Sequence, residues 1–182
     1  MKVAIRASAD ADVTRIAPFY IDSVRTGTAS WEYEPPSVEE FARRRAEILA
    51  KGFPYLVAEF DGRVVGYAHA SSYRARIGYR FTVEDSVYVD AAMTGRGIGK
   101  ALLNALIDEC AARDYRQMIA VIGDSAHAAS IRLHAACGFE RVALFRNIGF
   151  KFGRWLDSVQ MQRALGHGAA TAPPSADGNE RR

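Results

Sequence analysis

Cysteine is scarce in this chain, with two residues, Cys110 and Cys137, among 182. Neither has a CxxC partner or a histidine at metal-ligand spacing, so no disulfide framework and no metal site is expected. Both fall in segments that read as helix, where a small buried thiol suits a reducing compartment. Long hydrophobic runs are also lacking. Nothing approaches the roughly 20 apolar residues that cross a bilayer. The N-terminus is charged from Lys2 and carries no apolar leader segment. These absences predict a cytoplasmic protein with no membrane partner. Charge of one sign is missing too: 24 Lys and Arg stand against 21 Asp and Glu, for a net charge of +3. The basic residues are scattered beside acidic ones, so no nucleic-acid partner is expected, although a local basic pocket for an anion stays open.

The remaining composition, 49% apolar and 25% charged, is that of an ordinary globular protein. The length fits one domain that needs no covalent staple. Strand patterns cover about 3–6, 55–60, 64–73, 82–89, 117–122, 139–146 and 156–163. Helical periodicity covers about 10–25, 37–51, a third segment ending near 113, and 126–137. Ser37 and Glu40 form a capping-box pattern, and Asp61-Gly62 is a hairpin signal. Residues 28–34 read as extended. This order predicts an α/β (α+β) domain over residues 1–165, a mixed sheet of about seven strands with about four helices on its faces. From residue 166 to 182 the chain turns to Gly, Ala, Pro and Ser, and a disordered tail is expected.

The sharpest chemical signal is Thr94-Gly95-Arg96-Gly97-Ile98-Gly99-Lys100, set between a strand and a helix. Alternating glycines let a ligand approach the backbone, and amides at a helix start stay unpaired. With the helix dipole, Arg96 and Lys100, this is an anion site. The spacing is neither a P-loop nor a dinucleotide fingerprint.

At this loop the sequence resembles the GNAT superfamily of acetyltransferases, whose pyrophosphate loop reads [QR]xxGxG[GA]. Gly97 and Gly99 match, and Thr94 replaces the first residue. Further segments resemble its phosphinothricin and methionine sulfone/sulfoximine N-acetyltransferase branch. They are Thr28-Ala29-Ser30-Trp31-Glu32, Tyr73-Arg74-Ala75-Arg76, Thr82-Val83-Glu84-Asp85-Ser86-Val87-Tyr88-Val89, Ala129-Ser130-Ile131-Arg132-Leu133-His134, and Gly149-Phe150-Lys151-Phe152-Gly153-Arg154-Trp155-Leu156-Asp157.

The resemblance implies a GNAT fold, acetyl-CoA as co-substrate, a small amine as acceptor, no metal, and a homodimer. It implies Glu84 as general base and His134 as acid or proton relay. Val87, Tyr88 and Val89 would hold the pantetheine arm, and the glycine loop the diphosphate. His127 and Ser130 would contact the cofactor. Trp31, Tyr73, Arg74, Arg76, Phe81, Thr82 and Val83 would surround the acceptor, with Arg74 and Arg76 clamping its carboxylate. The residues alone also allow blander readings. Glu84 then reads as a solvated strand carboxylate, His134 as a satisfied helix residue, the arginines as a solvated hairpin face, and Trp31, Tyr73 and Phe81 as core. Two other functions stay open, a GNAT enzyme for another amine or a peptide N-terminus, and a non-catalytic acetyl-CoA-binding module.

Overall fold

The computed structural model describes residues 3–173. Strand β1 (Val3–Ala7) leads into helices α1 (Val13–Thr26) and α2 (Val38–Ala50). Strands β2 (Tyr55–Phe60), β3 (Arg63–Ser72) and β4 (Thr82–Val89) follow as a meander. Then α3 (Ile98–Ala112), β5 (Gln117–Ile122), α4 (Ala128–Ala136), β6 (Glu140–Lys151) and β7 (Arg154–Ala164) complete the chain. The seven strands form one mixed sheet, as the element pattern predicts, and its order is β1-β2-β3-β4-β5-β7-β6.

Local chemistry explains the joints. The Ser37 hydroxyl accepts from the Glu40 amide at 3.1 Å and so caps α2. Asp61 and Gly62 both take positive φ, 49° and 75°, the conformation of a two-residue hairpin turn between β2 and β3. Two apolar layers hold the helices to the sheet. On one face Leu102, Leu103 and Leu106 of α3 are fully buried against Ala68, Val83 and Met118. On the other, Ile16 and Ala17 of α1 and Phe41 of α2 cover Val57 and Tyr67.

One pairing positions the site. β4 runs parallel to β5 only where Thr82, Val83 and Glu84 meet Gln117, Met118 and Ile119. Every other neighbouring pair in the sheet is antiparallel. Beyond Glu84 the two strands part and leave that edge of β4 without a strand partner.

Residues 28–34, expected to be extended, instead form bends. The reason lies in Lys151, which is 2% exposed. Its ammonium donates to the carbonyls of Val24 at 2.7 Å, Gly27 at 3.0 Å and Ser30 at 2.8 Å, gathering the segment around one charge. After β7, Leu165 is buried, the Gly168 amide donates to the Leu165 carbonyl at 2.8 Å, and Arg116 Nη1 reaches Thr171 Oγ1 at 3.2 Å. These contacts lie in the first part of the segment expected to be disordered, and its remainder, 174–182, is outside the described residues. Among the described residues no helix is long and apolar enough to cross a membrane.

Candidate active site

The parting of β4 from β5 opens a cleft through the sheet. Glu84, Ser86 and Tyr88 border it from one face, and Asp85 and Val87 from the other. Ala120, Val121, Ile122 and Gly123 form the opposite wall. Ala29 and Ser30 close one mouth, and His127, Ser130 and His134 of the α4 region close the other. Glu84 is half-buried. Burial, with the charge of adjacent Asp85, pushes its carboxyl up to about 7, the range in which a carboxylate works as a base at neutral pH.

His134 is 5% exposed and packs edge-on against Phe139. Its Nδ1 lies 2.7 Å from the Ser130 carbonyl and its Nε2 lies 3.0 Å from Asp85 Oδ2. A carbonyl only accepts, so Nδ1 carries a proton. The nitrogen able to exchange a proton is Nε2, and it faces Asp85 rather than open cleft. An acid acting straight from the ring is therefore not what this geometry offers; His134 and Asp85 form one proton-sharing pair. Burial disfavours the imidazolium, but Asp85 and the Ser130 carbonyl outweigh it and raise the pKa. Asp85 Oδ1 is buried without a hydrogen-bond partner among the described residues. Sequence reasoning passed over Asp85, yet a signal was present. Strand alternation puts it on the core face with Val83, Val87 and Val89, and a carboxylate there demands a partner.

The glycine loop is built for close backbone approach. Gly95 and Gly97 have φ of 75° and 79°, left-handed values that a side chain would strain. Gly97 is the N-cap of α3, whose first bond runs from the Ala101 amide to the Gly97 carbonyl at 3.0 Å. The amides of 98–100 therefore precede the helical ladder. A Cβ at Gly99 would stand 3.2 Å from Leu133 Cδ2, so α4 packs tightly over the helix start. Arg96 and Lys100 are exposed, while the Thr94 hydroxyl donates to the Ala91 carbonyl at 3.1 Å. Ile98 is 1% exposed, so its side chain anchors the loop and only its main chain can serve a ligand.

The expected acceptor residues divide. Trp31 lies against Gly123 and Gly149, where an added Cβ would meet its ring at 2.7 Å, and its indole N–H points at the Gly123 carbonyl, 3.4 Å away. It thus stands beside the cleft wall. Tyr73 and Thr82 border a separate depression with Tyr79, Ile119 and Phe145. Arg74 stacks on Tyr73 and Tyr79 at 5.2 and 5.8 Å, and Arg76 is exposed. Neither arginine lines the cleft that holds Glu84. The single chain therefore does not assemble the expected carboxylate clamp there, because the β3–β4 loop leans over β5 and β7 instead. Phe81 lies under Arg80, and its carbonyl accepts from the Arg116 amide at 2.8 Å. Val83 corrects the reading outright: it is fully buried on the α3 face, where no acceptor reaches its side chain. Ala29, Ser30, Ser86 and Gly123 join the site without having been expected.

A sheet splayed at β4 and β5, a carboxylate at the fork, and a glycine loop at the head of α3 accompany a family match. The pattern described as "Acetyltransferase (GNAT) domain" matches residues 5–160. The chain is a GNAT acetyltransferase. Among curated relatives of this GNAT chain, a phosphinothricin N-acetyltransferase of Alcaligenes faecalis is 50% identical over 93% of the chain and 86% of its own length. An L-methionine sulfoximine/L-methionine sulfone acetyltransferase of Salmonella typhimurium is 40% identical over 91% of the chain and 96% of its own length. A crystal structure of a GNAT superfamily phosphinothricin acetyltransferase from Sinorhizobium meliloti, in complex with acetyl-CoA, superposes with a TM-score of 0.93 at 48% identity. That match covers 98% of this chain and 97% of the other.

Proposed function

We propose that this GNAT enzyme carries an acetyl group from acetyl-CoA directly to the α-amine of a small amino-acid-like acceptor. The acceptor class is that of methionine sulfone, methionine sulfoximine and phosphinothricin, on which the similar enzymes act by name. One observation carries the reading: Glu84 stands where β4 leaves β5. An amine with a pKa near 8 is mostly protonated at neutral pH and must lose a proton before it attacks. Glu84 is the group at the cleft with matching basicity, and it takes that proton directly or through one water.

The rest of the site supports the same chemistry. The free edge at Val87, Tyr88 and Val89 offers main-chain groups to the pantetheine amides and polarises the thioester carbonyl as charge builds there. Residues 94–100 receive the diphosphate on their amides, and His127 and Ser130 border the cofactor side. The proton lost by the amine ends on Glu84. The departing thiolate takes one from the Asp85–His134 pair, and solvent restores both groups. Cys110 and Cys137 are buried with their thiols held protonated by burial, Cys110 up to about 12. Neither is a nucleophile for an acyl-enzyme, which favours direct transfer in a ternary complex.

The enzyme works as a cytoplasmic homodimer in this reading. Phe145, Ile148, Phe150 and Trp155 leave an exposed apolar stripe on β6 and β7, of the kind that marks an interface. A thiol-release screen over the sulfone, the sulfoximine, phosphinothricin, a polyamine and a peptide tests the function. Turnover confined to the small amino acids is expected. Binding of acetyl-CoA without thiol release on any acceptor would make the chain a binding module.

A further inference from the structure

The cleft adjoins a second space whose chemistry bears on acceptor choice. On the α1/α2 face a cavity of about 210 Å³ lies between α2 and strands β2–β4. Ser86 and Tyr88 border both spaces. A buried apolar cavity of about 150 Å³ already admits benzene, so this one has room for an amino-acid side chain.

Its walls are aromatic: Tyr20, Phe41, Tyr55 and Tyr67, with Tyr88 at the shared boundary. One ring nitrogen among them has no hydrogen-bond partner. His69 stacks on Tyr55 with ring centroids 4.9 Å apart, and its Nδ1 is buried with no hydrogen-bond partner among the described residues. The two arginines in its lining are already engaged. Arg44 pairs with Glu32 and Glu40, and Arg45 with Asp10 and Ser8. Burial lowers the His69 pKa to about 4, which keeps the imidazole neutral, and it holds the Tyr55, Tyr67 and Tyr88 hydroxyls protonated. The space is therefore largely aromatic, the two cations in its lining are paired, and His69 Nδ1 lacks a hydrogen-bond partner among the described residues.

Sheet register sets the distance. His69 lies opposite Ser86, and Ser71 opposite Glu84, so His69 and Glu84 share a face one two-residue repeat apart. That repeat is about 7 Å along a strand. An α-amine held at Glu84 can thus send a methionine-length side chain past Ser86 to the imidazole.

We propose that this cavity is the acceptor's side-chain subsite, and that His69 selects a neutral polar tip on an unbranched apolar stem. Sulfone, sulfoximine and amide groups meet that description. A phosphinate or carboxylate tip loses its hydration there and finds no free cation to offset the loss. The proposal rests on the acetyltransferase reading above and narrows its acceptor class toward the sulfone and sulfoximine.

The test measures kcat/KM on the full chain with acetyl-CoA and four acceptors: methionine sulfone, methionine sulfoximine, phosphinothricin and norleucine. The parent enzyme is expected to favour the sulfone over phosphinothricin at least tenfold at pH 7.5. His69→Leu should cut the sulfone-to-norleucine ratio at least tenfold, chiefly through KM, and His69→Gln should recover part of it. A preference for phosphinothricin in the parent, or a ratio that moves less than twofold in His69→Leu, overturns the subsite. Should His69→Leu fail to bind acetyl-CoA, the parent ranking and His69→Gln decide the matter. Absence of thiol release with every acceptor removes the acetyltransferase reading as well, whereas turnover with a flat ranking removes the subsite alone.

Discussion

Asp85 Oδ2 and His134 Nε2 stand 3.0 Å apart with both side chains almost wholly buried, and they tie β4 to α4. Each is the other's ionic partner. Removing one member of such a pair leaves an uncompensated group in the interior.

Asp85→Asn is therefore expected to cost about 3 kcal/mol of folding stability at pH 6. The pH dependence has a definite sign. Folding raises the His134 pKa above its ordinary 6.5, so the stabilisation is complete below that value and is lost as pH rises through the higher folded value. Urea unfolding of parent and variant from pH 5.5 to 9 should show the gap narrowing upward. A gap independent of pH would contradict the pairing.

Glu84 makes a second prediction with the pH axis. Its carboxyl titrates near 7 in the folded enzyme, so kcat/KM should rise through an acid limb centred there. The same shift penalises the fold once the group ionises. Glu84→Gln should accordingly be more stable than the parent at pH 8.5, by roughly 1–2 kcal/mol, and nearly equal at pH 5. Thermal melts at the two values check this.

Lys151 should behave as a structural clamp. Lys151→Met removes the donor from three carbonyls at once, those of Val24, Gly27 and Ser30. Leaving a buried acceptor unpaired costs about 1–3 kcal/mol, so a loss of at least about 3 kcal/mol is expected. Hydrogen exchange should speed up across 27–31 more than in β2. Unchanged exchange in that segment would show that something else holds it.

Much of this architecture was legible in the sequence. The stripes of α1 and α3, the Ser37 cap and the Asp61-Gly62 turn are local signals, and local chemistry decides them. The glycine loop could be named because a strand–glycine–helix order is written in consecutive residues, whereas Glu84 and His134 were singled out by family resemblance, their residues alone allowing blander readings. Other features depended on partners distant in the chain. Residues 28–34 bend where Lys151, more than a hundred positions away, ties the Ser30 carbonyl to those of Val24 and Gly27. His134 changes character because Asp85, 49 positions earlier, meets it from β4. Val83 and Arg74 are assigned to the acceptor by resemblance, and the pleat of β4 and the lean of the β3–β4 loop send them elsewhere.

Gly97 tests the anion site by strain and occlusion. At φ 79° an alanine costs about 1–2 kcal/mol, and in the proposed site its methyl would crowd the diphosphate. Gly97→Ala should weaken acetyl-CoA binding at least tenfold in calorimetry while the fold melts cooperatively. Affinity equal to the parent would place the diphosphate elsewhere.

The most direct test of the central claim joins two measurements on Glu84→Gln. Calorimetry should find acetyl-CoA bound within about threefold of the parent affinity, and thiol release with methionine sulfone at pH 7.5 should fall by about 10²–10⁴, the usual worth of a general base. Intact binding with lost turnover is what a base at the fork of β4 and β5 predicts. Turnover within twofold of the parent would contradict it.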